Sequence, residues 1–453
     1  TTRGSVYSDN TWKNFSTNLY ARRVLDTTGR ELTADLDFAT YSSRNTQDLV
    51  NNFFGADGLP YRISDTLLGL LPQTINIYSG RIDYLHPLKG GAKLEAGIKS
   101  SWVNTDNNAI YDSIQNKSRV RDIARSNHFV YTEAIQAAYV NLNKPLSKKL
   151  TAQLGLRLEH TISKGDQRTT GVKFKTPYTQ LFPTAYFQYK INKEHNLGLN
   201  YGRRLRRPDY ESLNPFIRFI DRYTYSQGNP ELKPQFSNNI ELIHTYKNFL
   251  TTTANYTTTN NILQSVIEQK GDAAYQRMAN IASMKQYGLS VSVNKAFTKW
   301  WMSNLYAQVY NNQYSGFVNS AAIDFSATTF MFNGTQQFKL TKNTTAEISG
   351  IYRTAGQEGV ILFRARGMVS GGISQQILKN KGTIRLTVRD IFYTARGKAS
   401  SQYGNVDMTM QQWGDTRIVG LGFTYRFNKG KVATQKRRTD GSASEEQSRI
   451  GID

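Results

Sequence analysis

The sequence predicts an all-β protein, a transmembrane antiparallel β-barrel, and three observations predict it. Stretches of roughly ten to fourteen residues alternate apolar and polar side chains along most of the chain. The connections between those stretches alternate between short and long. No segment approaches the roughly 18–20 consecutive apolar residues of a membrane-spanning helix. A barrel hides its membrane signal in alternation, because only every second residue faces lipid.

The alternation is cleanest at 149–160, KLTAQLGLRLEH, where Leu150, Ala152, Leu154, Leu156 and Leu158 share one face and Thr151, Gln153, Gly155, Arg157 and Glu159 the other. A helix would scatter this set around its circumference, whereas a strand separates it. In order along the chain, strands are predicted near 12–25, 30–42, 73–85, 93–105, 132–144, 149–162, 182–192, 195–205, 236–247, 249–269, 274–297, 300–313, 324–339, 342–354, 367–379, 382–394 and 414–427. Short links fall near 26–29, 86–92, 145–148, 193–194, 248, 298–299, 340–341 and 380–381. Long ones fall near 43–72, 106–131, 163–181, 206–235, 314–323, 355–366 and 395–413, with 270–273 a short member of that set. Outer-membrane barrels sort their links in this way, with short periplasmic turns and long extracellular loops.

Composition agrees. The 453 residues include 34 Gly, 27 Tyr and 22 Phe but only 10 Pro and no Cys, which removes disulfides, thiolate catalysis and Cys-based metal sites. The formal net charge of +23 fits either nucleic acid or anionic lipid headgroups. Its placement favours lipid. Lys144, Lys148, Lys149, Lys190, Lys193, Lys247, Lys295, Lys299, Lys339, Lys342, Lys379 and Lys381 collect at the short turns, beside Tyr246, Phe249, Phe297, Trp300, Trp301 and Phe427. That is an interfacial girdle with lysines reaching for phosphates, and no nucleic-acid partner is expected.

One stretch is unlike its surroundings. Residues 203–234, RRLRRPDYESLNPFIRFIDRYTYSQGNPELKP, join two strands through a cationic, aromatic loop punctuated by Pro208, Asn214-Pro215, Gly228-Asn229-Pro230 and Pro234. Such punctuation fixes turns and stops either ladder from continuing. Arg204, Arg207, Tyr210, Phe216, Arg218, Tyr223 and Tyr225 are the candidate ligand-binding residues, because an ordered aromatic loop on a rigid scaffold is suited to contact. Arg203, Arg204, Arg206, Arg207, Arg218 and Arg222 either bind an anionic ligand or pair with Asp209, Glu211 and Asp221 of the same loop.

Arg207-Pro208 with Leu213-Asn214-Pro215-Phe216, then Gly228-Asn229-Pro230 with Leu232-Lys233-Pro234, then Glu241 on a strand, resembles the barrel of TonB-dependent outer-membrane receptors. The last strand ends Tyr425-Arg426-Phe427, which resembles the assembly signal of outer-membrane barrels, although 26 residues follow it. The resemblance implies a plugged barrel of about 22 strands, of which 1–427 would supply about the last 17, with a plug and a TonB-contacting segment preceding it. It implies a transporter that imports a bulky, scarce ligand, with the lipid bilayer and lipopolysaccharide, the TonB complex and a surface lipoprotein as partners. The polar tail 428–453 is expected to be disordered in the periplasm.

Enzyme chemistry finds no constellation. His86, His128, His160, His195 and His244 show no metal-ligand spacing, and Glu159 and His160 are neighbours that a strand points to opposite faces. The glycines form no phosphate loop, and NTDNN at 104–108 lacks the spaced acidic ligands of a calcium loop. No catalytic residue, metal or cofactor is expected. The reading from another class is a non-energised surface protein, an adhesin or a scaffold for lipoproteins or secretion machinery.

Overall fold

Seventeen strands follow one another in a single antiparallel meander. They are β1 (Thr2–Val24), β2 (Glu31–Phe54), β3 (Pro60–Pro87), β4 (Lys93–Gln115), β5 (Asn127–Pro145), β6 (Leu150–Gln167), β7 (Val172–Lys190), β8 (His195–Arg206), β9 (Gln235–Tyr246), β10 (Leu250–Asn260), β11 (Ala282–Ala296), β12 (Trp301–Val318), β13 (Ala321–Lys339), β14 (Thr344–Arg353), β15 (Arg366–Ile377), β16 (Gly382–Arg389) and β17 (Ile418–Tyr425). The computed structural model describes residues 2–115, 118–219, 224–270, 273–318, 321–427 and 441–451. Each strand pairs with the next in chain order, and Ser118–Arg121 folds back on β4 as an eighteenth member of the sheet. Among the described residues no ladder joins β1 to β17.

The wall has two faces because the side-chain period of a strand is two. On β6, Leu154, Leu156 and Leu158 remain 45–47% exposed and point outward. Glu159 and Thr161 are buried on the inner face. Leu36, Ile82, Ile98, Leu199, Leu242, Leu289 and Ile373 repeat the outward pattern around the sheet. An apolar exterior over a polar interior inverts a soluble protein and fits a wall whose solvent is lipid.

The short-turn end is built as its residues dictate. Lys247 and Asn248 take φ of 47° and 58°, the left-handed pair that a two-residue hairpin turn requires. The aromatic rim is also there: Phe297 stacks on Trp301 with centroids 4.7 Å apart, and the Lys295 ammonium lies 4.2 Å over the Phe249 ring.

The opposite end corrects the expected loops. Residues 43–72 and 163–181 are mostly ribbon: β2 and β3 run on to a turn at 55–59, and β6 and β7 to one at 168–171. Much of 106–131 and 314–323 is likewise strand. The alternation weakens there because both faces become polar, so the apolar stripe stops before the ladder does. Conversely, 249–269 and 274–297 are not single strands. Each breaks where Asn261 adopts φ 55° and where Ile281 separates Ala273–Asn280 from β11. The outer halves, Leu263–Lys270 and Ala273–Asn280, form a four-stranded sheet with Ile217–Phe219 and Thr224–Gln227. A second loop sheet joins Gly356–Glu358, Ile361–Phe363, Gly397–Tyr403 and Val406–Gln412.

Asp390, buried just beyond β16, anchors that second group. Its carboxylate accepts from the Thr394 and Ala395 N–H groups at 2.9 and 3.0 Å and from the Thr416 hydroxyl at 2.6 Å. Burial works against the charge, but these donors outweigh it and hold the carboxyl down at about 2. A depressed carboxylate stabilises the fold above its unfolded value of roughly 3.9, and that contribution is lost as pH falls toward about 2. Asp390→Ala is therefore expected to make residues 390–417 faster to cleave by added protease at pH 7. Cleavage at the wild-type rate would remove Asp390 from this role.

Candidate functional site

The loop between β8 and β9 folds back into the barrel. Leu213 and Tyr210 are buried, and they join Ile75, Ile77, Val103, Phe129 and Tyr131 of the wall in one apolar cluster. Phe216 packs on that cluster and on a neighbouring one formed by Leu49, Leu67, Ala109 and Tyr111. The loop is therefore pinned by its aromatic and aliphatic side chains to the inner face of β2–β5.

Its turn residues serve this shape. Asn229 N donates to Ser212 O at 2.6 Å, and Gln227 Nε2 donates to Pro215 O at 3.1 Å. Asn214 Oδ1 accepts from Phe216 N at 3.3 Å. A Cβ on Gly228 would sit 2.0 Å from the Asn214 carbonyl oxygen, so only glycine fits. Gly228→Ala is expected to destabilise the docked loop by about 1–3 kcal/mol, read as faster hydrogen exchange at 207–219; unchanged exchange would contradict the close approach. Pro208 is buried, and Pro230 and Pro234 bound the return to β9.

Beneath the loop lies a buried ionic network. Arg207 donates to Tyr178 Oη at 3.1 Å, Glu159 Oε2 at 2.7 Å, Thr161 Oγ1 at 3.0 Å and Glu445 Oε1 at 2.6 Å. Arg449 donates to Glu133 and to Pro208 O, the latter at 2.9 Å, and its guanidinium carbon lies 4.3 Å over the Tyr210 ring. Burial pushes the Tyr210 phenol well above its ordinary value. Burial opposes the Glu445 charge, yet Arg207 and Lys99 hold its carboxyl below the usual range.

Between the loop and the wall is a cleft of about 430 Å³. Trp12, Asn45, Gln73 and Asn107 line it from the wall, Asp209, Glu211, Phe216 and Arg218 from the loop, and Gln276 and Met278 from the adjoining loop sheet. The lining is mixed in charge: Arg218 pairs with Glu211 at 2.5 Å, and Arg277 with Glu268. Asn107 is 2% exposed, and its Oδ1 has no hydrogen-bond partner among the described residues. Such an arrangement can grip a ligand carrying both donors and acceptors.

The expected binding residues therefore divide. Phe216 and Arg218 line the cleft. Tyr225 stacks face to face on Tyr275 with centroids 5.2 Å apart. Tyr210 and Arg207 are buried beneath and hold the loop, so Arg207 is a structural anchor in this structure rather than an open anion grip. Arg204 is exposed on β8, and Tyr223, with Asp221 and Arg222, lies outside the described residues. Of the two alternatives for the arginines, pairing within the loop holds for Arg218 with Glu211, whereas Arg207 reaches Glu159 on the wall.

Sequence reasoning missed three features. Glu133 and Glu159 are the buried wall partners of Arg449 and Arg207; the one legible signal was acidic residues at inward strand positions. His195 and His244, on adjacent strands, bring Nδ1 and Nε2 within 3.0 Å, a proximity that only register reveals. Among the described residues no group of three or more metal-ligating side chains forms. Residues 441–451, expected to be part of a disordered tail, instead pack into the network; 428–440 lie outside the described residues. The tail's few apolar residues, Ala443 and Ile450, bury beside Tyr131 and Tyr210, and its charges meet partners far away in sequence.

A family model described as an outer membrane protein beta-barrel family matches residues 23–425. No curated protein matches the sequence. Among solved structures, the siderophore receptor PiuA from Acinetobacter baumannii is similar with a TM-score of 0.57 at 11% identity, over 94% of this chain and 77% of that one. The ferric yersiniabactin uptake receptor FyuA from Yersinia pestis gives 0.57 at 13%, over 94% and 71%. The ferric-catecholate import receptor Fiu from E. coli K12 gives 0.56 at 12%, over 88% of this chain and 64% of that one. At such identities the likeness is one of fold.

Proposed function

Because the chain belongs to the outer membrane protein beta-barrel family, we propose that it forms the wall of an outer-membrane receptor that imports a bulky ligand in the TonB-dependent manner. The observation that carries the reading is the cleft of about 430 Å³ between the docked loop and the inner wall. It is large enough to seat one part of such a ligand and lies inside the barrel, where captured cargo would begin to cross. In this reading residues 1–427 are the barrel domain, the short turns are periplasmic, and the long connections face outward. Energy would come from the inner-membrane TonB complex through a plug. The receptor and uptake roles of PiuA, FyuA and Fiu support a transport role over an enzymatic one.

Phe216 and Arg218, which line the cleft, are the residues assigned to ligand contact. The test is thermal: siderophores, glycans, peptides and cobalamin are added in turn to the purified protein. A ligand at a hundred times its Kd stabilises the folded state by about 2.7 kcal/mol, so the right class raises Tm. Arg218→Ala with Phe216→Ala is expected to weaken that ligand roughly tenfold or more. A ligand whose shift is unchanged by the double substitution would remove the cleft from the proposal.

The second reading, a non-energised adhesin or scaffold, is favoured by one observation. The lumen already holds residues 441–451 of the chain itself, which narrows any path through it. Uptake of the matched ligand by intact cells separates the two readings.

A further inference from the structure

Residues 441–451 are held within the barrel by contacts that read their sequence position by position. Ser442 Oγ and Ala443 N donate to Asp37 Oδ2 at 2.5 and 3.2 Å. Glu446 is fully buried and accepts from Lys99 Nζ at 2.9 Å and Ser101 Oγ at 2.7 Å. Glu445 meets Arg207 at 2.6 Å, and Arg449 meets Glu133. The Arg449 carbonyl accepts from Tyr210 N at 3.1 Å, while its side chain donates to Pro208 O. Ala443 and Ile450 fill the apolar gaps between these charges.

This is a matched set. Three charges of the segment meet three opposite charges of the barrel, and two apolar side chains enter the core at either end. An unmatched polar peptide would not bury such groups, because a charge left unpaired in a dry interior costs several kcal/mol. Complementary charges fix register and exclude other sequences more than they add affinity. The segment also touches both sides of one junction: Lys99, Glu133 and Asp37 belong to wall strands, whereas Arg207, Pro208 and Tyr210 belong to the loop. Gly451 reaches the floor of the cleft.

We propose that the inner wall is a peptide socket and that residues 441–451 are its tethered occupant, a clamp that fastens the β8–β9 loop to β2–β5. The thirteen residues 428–440 span at most about 45 Å when extended, which tethers the segment to β17. Tethering places the occupant at roughly millimolar effective concentration, so the socket needs only modest intrinsic affinity. The proposal stands apart from the transport reading, since it concerns what holds the loop and not what the cleft admits.

Two experiments test it. The chain has no cysteine, so Asp37→Cys with Ser442→Cys introduces one defined pair. In membranes under mild oxidant it is expected to form a disulfide, seen as a gel-mobility change that reductant reverses. Ser303→Cys with Ser442→Cys is the control and is expected to stay open. Equal cross-linking of both pairs, or of neither in a folded barrel, overturns the proposal. In the second experiment, residues 441–453 are deleted and a fluorescein-labelled peptide of that sequence is added back. Saturable binding is expected to the deleted chain and at least tenfold less to the full chain, whose socket is filled. Glu446→Gln in the peptide is expected to weaken binding tenfold or more. Equal binding of both peptides overturns the proposal, and the cross-link decides the matter if the shortened chain does not fold.

Discussion

Arg207→Ala is expected to speed hydrogen exchange of the Tyr210, Asn214 and Asn229 amides roughly a hundredfold or more, because removing one partner of a buried ionic network costs about 3–5 kcal/mol. The side chain of Arg207 is 1% exposed and donates to Glu159, Thr161, Tyr178 and Glu445. Alanine would leave Glu159 with Arg157 alone, at 2.8 Å, and Glu445 with Lys99 alone, at 4.0 Å, and would open a void at the base of the loop. Tyr210 N reports on docking through its bond to Arg449 O, and Asn214 and Asn229 report on the loop's own shape through bonds to Glu211 O and Ser212 O. Adding Glu159→Gln to Arg207→Ala removes one stranded charge and is expected to recover part of the loss. An exchange increase below about threefold would mean that the apolar cluster around Tyr210 and Leu213 holds the loop alone.

The second large effect is on the other face of the same strand. Leu156→Arg is expected to destabilise the barrel in lipid vesicles by about 2–4 kcal/mol, the cost of a cation near the bilayer midplane. Leu156 points outward, opposite Val140 and Pro183 of its neighbours, with Leu154 and Leu158 above and below. One residue along, Arg157 points inward and pairs with Glu159 at 2.8 Å. Arg157→Lys is therefore expected to change stability by about 1 kcal/mol or less. Urea titration of the refolded protein in vesicles measures both. Equal effects at 156 and 157 would mean that the two faces do not separate lipid from lumen.

Residues 154–158 show why the wall was legible in the sequence. Alternation is local, and a lipid-facing leucine every second position leaves little ambiguity about element or face. The same logic located all seventeen wall strands and placed a short link at 248, where the structure turns at Lys247 and Asn248. It stopped where its physical cause stopped. Beyond the lipid the outer face of β2 carries polar residues and its inner face buries polar ones such as Gln47, so Arg44, Asn45, Gln47 and Asp48 looked like loop although the ladder continues through them. The kink at Asn261 left no apolar break to find.

The site was harder because its partners are far apart in sequence. Pro208, Asn214 and Gly228 marked a shaped loop, and Phe216 and Arg218 were found for the cleft they line. Arg207 was selected for its charge, but nothing within 203–234 could show that Glu159 and Glu445 would neutralise it. The clamp was least legible of all. GSASEEQSRI reads as a solvated tail until Lys99, Glu133 and Arg207 are placed around it, since burial of its charges depends wholly on those partners.

The long hairpin of β2 and β3 has a further consequence. Its strands hold 24 and 28 residues, whereas a tilted strand crosses the hydrocarbon in about 9–11. At about 3.3 Å per residue the surplus lifts the turn at 55–59 roughly 40 Å clear of the bilayer. The barrel thus carries a stiff parapet on one side of its mouth. With the long connections outward, as proposed, that crest stands above the cleft on its side of the mouth. Asp57 and Gly58 at the crest take no part in lining the cleft, so the tip is free to change in sequence while the cleft below keeps its shape.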